Sequence, residues 1–238
     1  MTNRIVPPFF EMGPKSYKLG QDVVDIAQLA DQAAAKFDIR VIFTAPFLLL
    51  ERIAATTNNL LVFAPYIDDI GMGREGAGGK ILPESVVAAG AKGVQLNHSQ
   101  KPLPLSTLCN LVHRAQELDL LTEIVASSMA EIRAVATLTP DVIIAEPLEL
   151  IGTTTSADLS YIQTAVNTIR AIDKGIGILI GAGINTGEDV YKCIYSGADA
   201  SGSASGIFTA KDPEVVIDEM FSAVRRAWDD RHNNQINR

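Results

Sequence analysis

The sequence predicts a closed parallel (β/α)8 barrel. Short apolar runs typical of buried strands alternate with helix-like segments from end to end, eight such pairs can be counted, and no break in composition divides the chain. A length of 238 residues suits one barrel. An open doubly wound sheet is the structural alternative, but no G-x-G-x-x-G follows the first strand, which removes its nucleotide-binding version. We therefore expect one barrel domain over residues 1–238.

The expected strands are short runs rich in apolar and β-branched residues, as strands buried on both faces are. They cover residues 8–11, 40–45, 60–64, 93–97, 121–126, 142–145, 176–181 and 198–203. The eighth has a poor composition for a strand, being made of alanine, aspartate, serine and glycine. It is assigned because the barrel needs it.

The expected helices carry apolar residues at a spacing of three to four. They cover residues 21–37, 47–55, 106–118, 128–138, 157–172, 188–195 and 213–228, with a further helix beginning at Pro83. A glycine-rich loop, 71–79, precedes Pro83. Residues from about 229 to 238 are expected to form a frayed polar tail.

Composition excludes several classes of function. A formal net charge of −8 without a basic cluster argues against nucleic-acid binding. The first residues show no signal-peptide pattern, and the most apolar run, 43–50, is broken by Pro46 and too short to span a membrane. Cys109 and Cys193 are far apart, which suits a reducing compartment, so we expect a cytoplasmic protein. Three scattered histidines and these cysteines offer no ligand spacing, and we expect neither metal nor cofactor.

In such a barrel the working residues lie at the carboxyl ends of the strands. Lys15 follows strand one after a Gly-Pro corner, His98 follows strand four, and Glu146 ends strand six, where Pro147 stops the strand and restricts the glutamate. Each has a plain structural interpretation on its own: a solvated lysine, a structural histidine and an incidental glutamate.

Small-residue loops follow strands seven and eight, at residues 181–188 and 202–206. Their backbone N–H groups can approach an anion, and this pair of loops is the recurrent phosphate site of the architecture. Tight turns alone would also explain the glycines. Together these features predict aldose–ketose isomerisation through an enediolate. The loops would bind a phosphate, the lysine and histidine would polarise a carbonyl, and the carboxylate would remove the adjacent proton.

These residues resemble the triosephosphate isomerases, especially their short archaeal-type branch, from strand one to Pro213. The resemblance rests on several long matches in the same order. They are Ile81-Leu-Pro-Glu84 with Ala89-Gly-Ala91, Asn97-His-Ser99, Glu146-Pro-x-Glu-Leu-Ile-Gly-Thr153, Gly181-Ala-Gly-Ile-x-Thr-Gly-Glu-Asp-Val190, and Ala204-Ser-Gly206 with Ala210-Lys-Asp-Pro213.

The resemblance implies a TIM barrel and an isomerase of carbohydrate metabolism, in glycolysis and gluconeogenesis, that acts on a small phosphorylated sugar. By it Glu146 is the catalytic base and His98 the neutral electrophile, roles for which this family is the standard example. Lys15 supplies positive charge near the carbonyl and phosphate. The remaining implied substrate- and phosphate-binding positions are Gly13, Ile151, Gly152, Gly183, Ala204 and Ser205. A homo-oligomer, dimer or tetramer, is also implied.

Three positions depart from the family pattern. Gly13 replaces the asparagine of N-x-K, Gln100 replaces the glutamate after His-Ser, and Gly78 replaces a threonine of the long third loop. We expect that lost bulk at Gly13 and Gly78 creates room in the pocket. Two alternatives to triose phosphate isomerisation follow: isomerisation of a larger tetrulose or pentulose phosphate, or a paralogue that binds a phosphorylated metabolite without turnover.

Overall fold

A computed structural model describes residues 5–73, 78–153 and 155–236. Its eight strands pair in parallel, each with the next along the chain, and the eighth pairs with the first, so the sheet closes in the order β1 to β8. The predicted (β/α)8 barrel is confirmed. Residues 74–77 of the glycine-rich loop, Thr154 and the last two residues of the predicted tail lie outside the described residues.

The strands are short and lie within one to two residues of their predicted bounds. They are β1 (Phe9–Met12), β2 (Arg40–Thr44), β3 (Leu60–Ala64), β4 (Gly93–Leu96), β5 (Leu121–Ala126), β6 (Val142–Ala145), β7 (Gly177–Ile180) and β8 (Ala200–Gly202). The helices are α1 (Gln21–Phe37), α2 (Phe47–Thr56), α3 (Pro83–Ala88), α4 (Leu105–Glu117), α5 (Met129–Ala136), α6 (Leu159–Ile172), α7 (Gly187–Tyr195), α8 (Ser205–Phe208) and α9 (Pro213–Ile236).

The eighth strand forms despite its composition, because it has a hydrogen-bonding partner on each side. It pairs with β7 and β1, and the Ser201 hydroxyl donates to the Ile180 carbonyl at 3.1 Å. Small residues suit this position, since a Cβ at Gly202 would lie 2.8 Å from the Glu11 carbonyl oxygen and 3.1 Å from Glu11 Oε2.

The C-terminal prediction was wrong. Helix α9 continues through the segment from 229 that was expected to be a frayed tail, and ends at Ile236. Side chains on this segment hold it to the barrel: Arg231 donates to the carbonyls of Ile194 and Ala198 at 2.7 Å each, and Asp230 accepts from the Tyr191 hydroxyl at 2.9 Å. The short helix α8, between β8 and α9, was not predicted.

Strand residues alternate between two apolar clusters. One lies between the sheet and the helices and includes Phe10, Met12, Val41 and Phe43. The other fills the inside of the barrel with the alternate residues, and it consists of Phe9, Ile42, Phe63, Leu121, Val125, Val142, Ile144, Leu179 and Ala200. No helix in the described ranges has the length and apolar character needed to cross a membrane.

Gly93 provides a test of packing inside the barrel. A Cβ there would lie 2.3 Å and 2.5 Å from two atoms of the fully buried Phe63 ring and 2.7 Å from the Leu121 carbonyl oxygen. We therefore expect Gly93→Ala to lower the free energy of unfolding by about 1–3 kcal/mol, measured by urea denaturation. Gly78→Ala is the matched control, because no described atom lies within 4 Å of that position. Equal stability of the two variants would contradict this account of the interior.

Candidate active site

The carboxyl ends of the strands surround one cavity of about 690 Å3. All nine site residues predicted from the sequence line it. They are Gly13, Lys15, His98, Glu146, Ile151, Gly152, Gly183, Ala204 and Ser205. Residues that lie far apart in the sequence therefore meet at one end of the barrel, as closure of a parallel sheet requires.

The turn after β4 brings His98 into the cavity. Asn97 has a left-handed backbone (φ 59°), and its side chain fastens the turn by donating to the Val125 carbonyl at 3.0 Å and accepting from the Leu103 N–H at 2.9 Å. His98 Nδ1 accepts a hydrogen bond from the Gln100 backbone N–H at 3.2 Å. An accepting Nδ1 belongs to a neutral ring that carries its proton on Nε2.

The electrostatics of His98 favour the same neutral form. Burial lowers the pKa of His98 below its ordinary value, and the positive charge of Lys15 lowers it further. The ring is therefore uncharged at neutral pH and can only donate through Nε2–H.

Glu146 stands at the end of β6, where its backbone N–H donates to the Ala126 carbonyl at 3.0 Å. Burial raises the pKa of the Glu146 carboxyl, while Lys15 and a backbone hydrogen bond from Ala182 act in the opposite direction. Ala182 has a left-handed backbone (φ 66°), which turns its N–H toward the glutamate. A carboxylate with a raised pKa is a stronger base at neutral pH.

Lys15 lies in the turn after β1 with a left-handed backbone (φ 46°), which costs free energy for a residue other than glycine. Its charge acts on His98, Glu146 and Glu11, as the directions of their pKa shifts show. The charge of one lysine therefore acts on three titratable groups that line the cavity.

The loops after β6, β7 and β8 form one side of the cavity. Gly183 allows the loop after β7 to pack against the loop after β6. Its φ is 68°, and a Cβ there would lie 1.9 Å from the Thr155 carbonyl oxygen. The loop after β6 contains a 3-10 turn, Leu148–Leu150, and Gly152 (φ 75°) with no described atom near its Cβ direction. Small residues thus expose backbone on this side of the cavity, which suits an anion.

Sequence reasoning missed three polar residues that line the cavity from within the strands: Glu11, Thr44 and Gln95. The Thr44 hydroxyl donates to Glu11 Oε1 at 2.9 Å. Burial raises the pKa of Glu11 to about 7, despite the opposing effects of Thr44 and Lys15, with Glu146 adding to the rise. For Glu11 the available signal was a carboxyl group at the end of the otherwise apolar strand predicted over 8–11.

The expectation that Gly13 leaves open room was wrong. A Cβ at Gly13 would lie 2.9 Å from the Thr44 carbonyl oxygen and 3.1 Å from Thr44 Cβ, so β2 already occupies that direction. Gly13 instead allows the turn after β1 to approach Thr44, whose hydroxyl bonds to Glu11. Gly78 does face open space among the described residues.

The architecture and the cavity define an α/β-barrel enzyme whose cavity combines a buried carboxylate, a neutral histidine, a lysine and backbone suited to an anion. No group of three or more His, Cys, Asp or Glu side chains within the described ranges is placed to hold a metal ion.

Comparison with known proteins identifies the family. The sequence profile of triosephosphate isomerase matches residues 109–220. The chain is 33% identical over 226 residues to the triosephosphate isomerase of Saccharolobus solfataricus, covering 93% of this chain and 98% of that protein. The enzymes of Sulfolobus acidocaldarius (33% over 231 residues; 94% and 98%) and Methanothermus fervidus (30% over 220 residues; 90% and 98%) are also similar. The chain belongs to the triosephosphate isomerase family and is an isomerase, an intramolecular oxidoreductase.

The raised pKa of Glu11 predicts a pH-dependent stability. The folded state keeps a proton that the unfolded state releases between the ordinary pKa of 4.5 and about 7, so the free energy of unfolding falls as pH rises through that window. Glu11→Gln, which can still accept from Thr44, should remove this loss and be more stable than the parent at pH 8 by up to about 3 kcal/mol. At pH 5 the two should differ little.

Urea denaturation at the two pH values measures this difference. Glu51→Gln, at an exposed position of α2, is the matched control and should track the parent at both. If Glu11→Gln loses as much stability between pH 5 and pH 8 as the parent does, the raised pKa of Glu11 is not the cause of that loss.

Proposed function

We propose that this protein interconverts glyceraldehyde 3-phosphate and dihydroxyacetone phosphate through an enediolate, with Glu146 as base, His98 as electrophile and Lys15 as electrostatic stabiliser. The observation that carries the proposal is that the three side chains line one cavity, together with the small-residue loops after β7 and β8. Similarity over more than nine-tenths of the chain to triosephosphate isomerases supports the reaction class.

Glu146 acts as the base. Its carboxylate takes the proton from the hydroxyl-bearing carbon next to the carbonyl, and the electrons of the broken C–H bond form the C=C bond of the enediolate. The proton of the substrate hydroxyl then passes to the oxygen that became negative, Glu146 returns its proton to the former carbonyl carbon, and the hydroxyl and carbonyl positions have exchanged. Burial of this carboxyl raises its pKa and strengthens the base.

His98 and Lys15 stabilise the oxygen that becomes negative. The Nε2–H of neutral His98 donates to it, because Nδ1 is occupied by the Gln100 N–H. Lys15 adds a fixed positive charge beside the carbonyl and the phosphate. Keeping the ring neutral also matches its proton affinity to that of an enediolate better than an imidazolium would.

The phosphate is assigned to the backbone at Ile151, Gly152, Gly183, Ala204 and Ser205. All five line the cavity, and small residues there let N–H groups approach phosphate oxygens. Gly13 lies on the turn that carries Lys15, after β1, which pairs with β8. We further propose that the whole chain forms one barrel domain and assembles as a homodimer or tetramer.

The base assignment predicts the effect of changing Glu146. Glu146→Gln and Glu146→Asp should lower kcat by several orders of magnitude, because the first removes the base and the second withdraws it from the reacting carbon. Binding of a phosphate analogue, followed by calorimetry, should persist. Glu51→Gln is the control and should keep full turnover. Unchanged turnover in Glu146→Gln would refute the base, and phosphate binding without turnover in the parent would identify a non-catalytic paralogue.

The neutral state of His98 predicts a pH–rate profile. Since the pKa of His98 lies below its ordinary value, kcat should show no histidine titration between about pH 6 and 8. His113→Asn serves as the control, because His113 is exposed on α4 and its removal should leave the profile unchanged. If kcat depends on a histidine ionisation between about pH 6 and 8 both in the parent and in His113→Asn, His98 does not act as a neutral electrophile.

A further inference from the structure

Four polar side chains interrupt the apolar interior of the barrel just below the cavity. Glu11, Thr44, Gln95 and Glu123 lie on β1, β2, β4 and β5. Side chains two residues apart on a strand share a face, so Glu11, Thr44 and Glu123 point inward with Phe9, Ile42 and Leu121 of the interior cluster. Gln95 points inward with them, because its amide bonds to Glu123. Barrel interiors are ordinarily filled by bulky branched apolar side chains. We call these four residues the polar floor.

The polar floor is built as two hydrogen-bonded pairs. Thr44 donates to Glu11 Oε1 at 2.9 Å, and Gln95 Nε2 donates to Glu123 Oε2 at 3.1 Å. Glu123 is fully buried, and its Oε1 has no hydrogen-bond partner among the described residues. Burial and the charge of Glu11 raise the pKa of the Glu123 carboxyl well above its ordinary value. Apolar side chains would fill these positions without the free-energy cost of burying carboxyl and amide groups.

Three members of the floor are open to the cavity. Glu11, Thr44 and Gln95 line it, whereas Glu123 does not and lies behind Gln95. Glu123 holds the Nε2 end of the Gln95 amide, and no described residue hydrogen-bonds to Gln95 Oε1. Gln95 therefore presents an acceptor, and Glu11 a carboxyl group, to whatever occupies the cavity.

The place of Gln95 in the ring shows which part of a ligand it would meet. Strand β4 lies opposite β8 in a closed ring of eight strands, and the phosphate is assigned to loops after β6, β7 and β8. A ligand held there by its phosphate reaches Gln95 only by extending past the reacting carbon. The three carbons of dihydroxyacetone phosphate carry the phosphate, the carbonyl and the reacting hydroxymethyl group, whose hydroxyl takes part in the reaction. A triose therefore has no further hydroxyl for the floor to bind.

We propose that the polar floor binds a hydroxylated substituent on the reacting carbon, so that the preferred substrate is a sugar phosphate of four or five carbons. This inference rests on the proposed isomerisation and names its substrate class. The reacting carbon carries a hydroxymethyl or longer polyol group in place of one hydrogen, and the substituent's hydroxyls bond to Gln95 Oε1 and Glu11. The substituent itself is unchanged, and Glu146 moves the same proton between the same two carbons.

A site that hydrogen-bonds a substrate hydroxyl rejects the analogue lacking it, because its own polar groups are then left unpaired. We therefore expect kcat/KM for a ketotetrose 1-phosphate, whose reacting carbon bears the extra hydroxymethyl group, to exceed that for dihydroxyacetone phosphate by about tenfold or more. The experiment measures both enantiomers of that tetrulose phosphate, a pentulose phosphate and dihydroxyacetone phosphate with the full-length protein.

Gln95→Leu and Glu11→Leu, which remove the hydrogen-bonding groups, test the floor itself. Each should lower the ratio of kcat/KM for the longer sugar to that for the triose by about tenfold or more, mainly through the longer sugar. The ratio is taken within one preparation, so partial unfolding of a variant cancels. Ser201→Ala is the matched control, because Ser201 is a fully buried polar strand residue that does not line the cavity, and its ratio should equal the parent's.

The outcomes separate this inference from the proposed function. If triose phosphate is turned over in a Glu146-dependent way and no longer sugar is preferred, the polar floor is not a specificity element, and the proposed isomerase activity stands. The same holds if Gln95→Leu leaves the ratio of kcat/KM for the longer sugar to that for the triose unchanged. If none of these sugars is turned over in a way that Glu146→Gln abolishes, both the polar floor and the proposed isomerase function are overturned.

Discussion

Closure of eight short parallel strands is the constraint on which the rest of this structure depends. Each strand pairs with two neighbours, so its carboxyl end can lie only at one rim, and the residues just past most of the strands line the same cavity. Lys15, His98 and Glu146 are brought together in this way, with no need for contacts between them in sequence. The left-handed turns at Lys15 and Asn97 are tolerated because the ladder on both sides fixes where the chain must leave the sheet.

The charges at this rim depend on one another. Burial raises the pKa values of Glu11 and Glu146 and lowers that of His98, the charge of Lys15 acts to lower all three, and the charge of Glu146 adds to the rise at Glu11. The family pattern has a glutamate where this chain has Gln100, and the structure has a carboxylate near Lys15 on β1 instead, at Glu11. Thr44 holds that carboxylate and Gly202 leaves space for it. The departures from the family pattern thus accompany a carboxyl group at another position beside Lys15.

The sequence predicted what regular patterns encode. Apolar runs located the strands within one or two residues, and the strand ends gave Lys15, His98 and Glu146. The resemblance to the family gave the other six positions, and all nine line the cavity. The polar floor was missed because only the closed barrel shows that Glu11, Gln95 and Glu123 point inward at neighbouring levels. The end of α9 was missed for a similar reason: Arg231 and Asp230 look like a solvated tail until their partners, the Ala198 carbonyl and Tyr191, are known to lie beside them.

Stability and function conflict in the floor of this barrel. Phe9, Phe63 and Leu121 fill the interior one level down at no polar cost, and the same solution was open to β1, β4 and β5 above. The chain instead buries two carboxyl groups in one interior and leaves Glu123 Oε1 without a partner among the described residues. A local violation of the pattern that stabilises the rest of a fold is expected where a site requires it. Isomerisation of a triose needs Lys15, His98, Glu146 and the phosphate loops, and none of these explains why the floor is polar, whereas a substrate with one more hydroxylated carbon does.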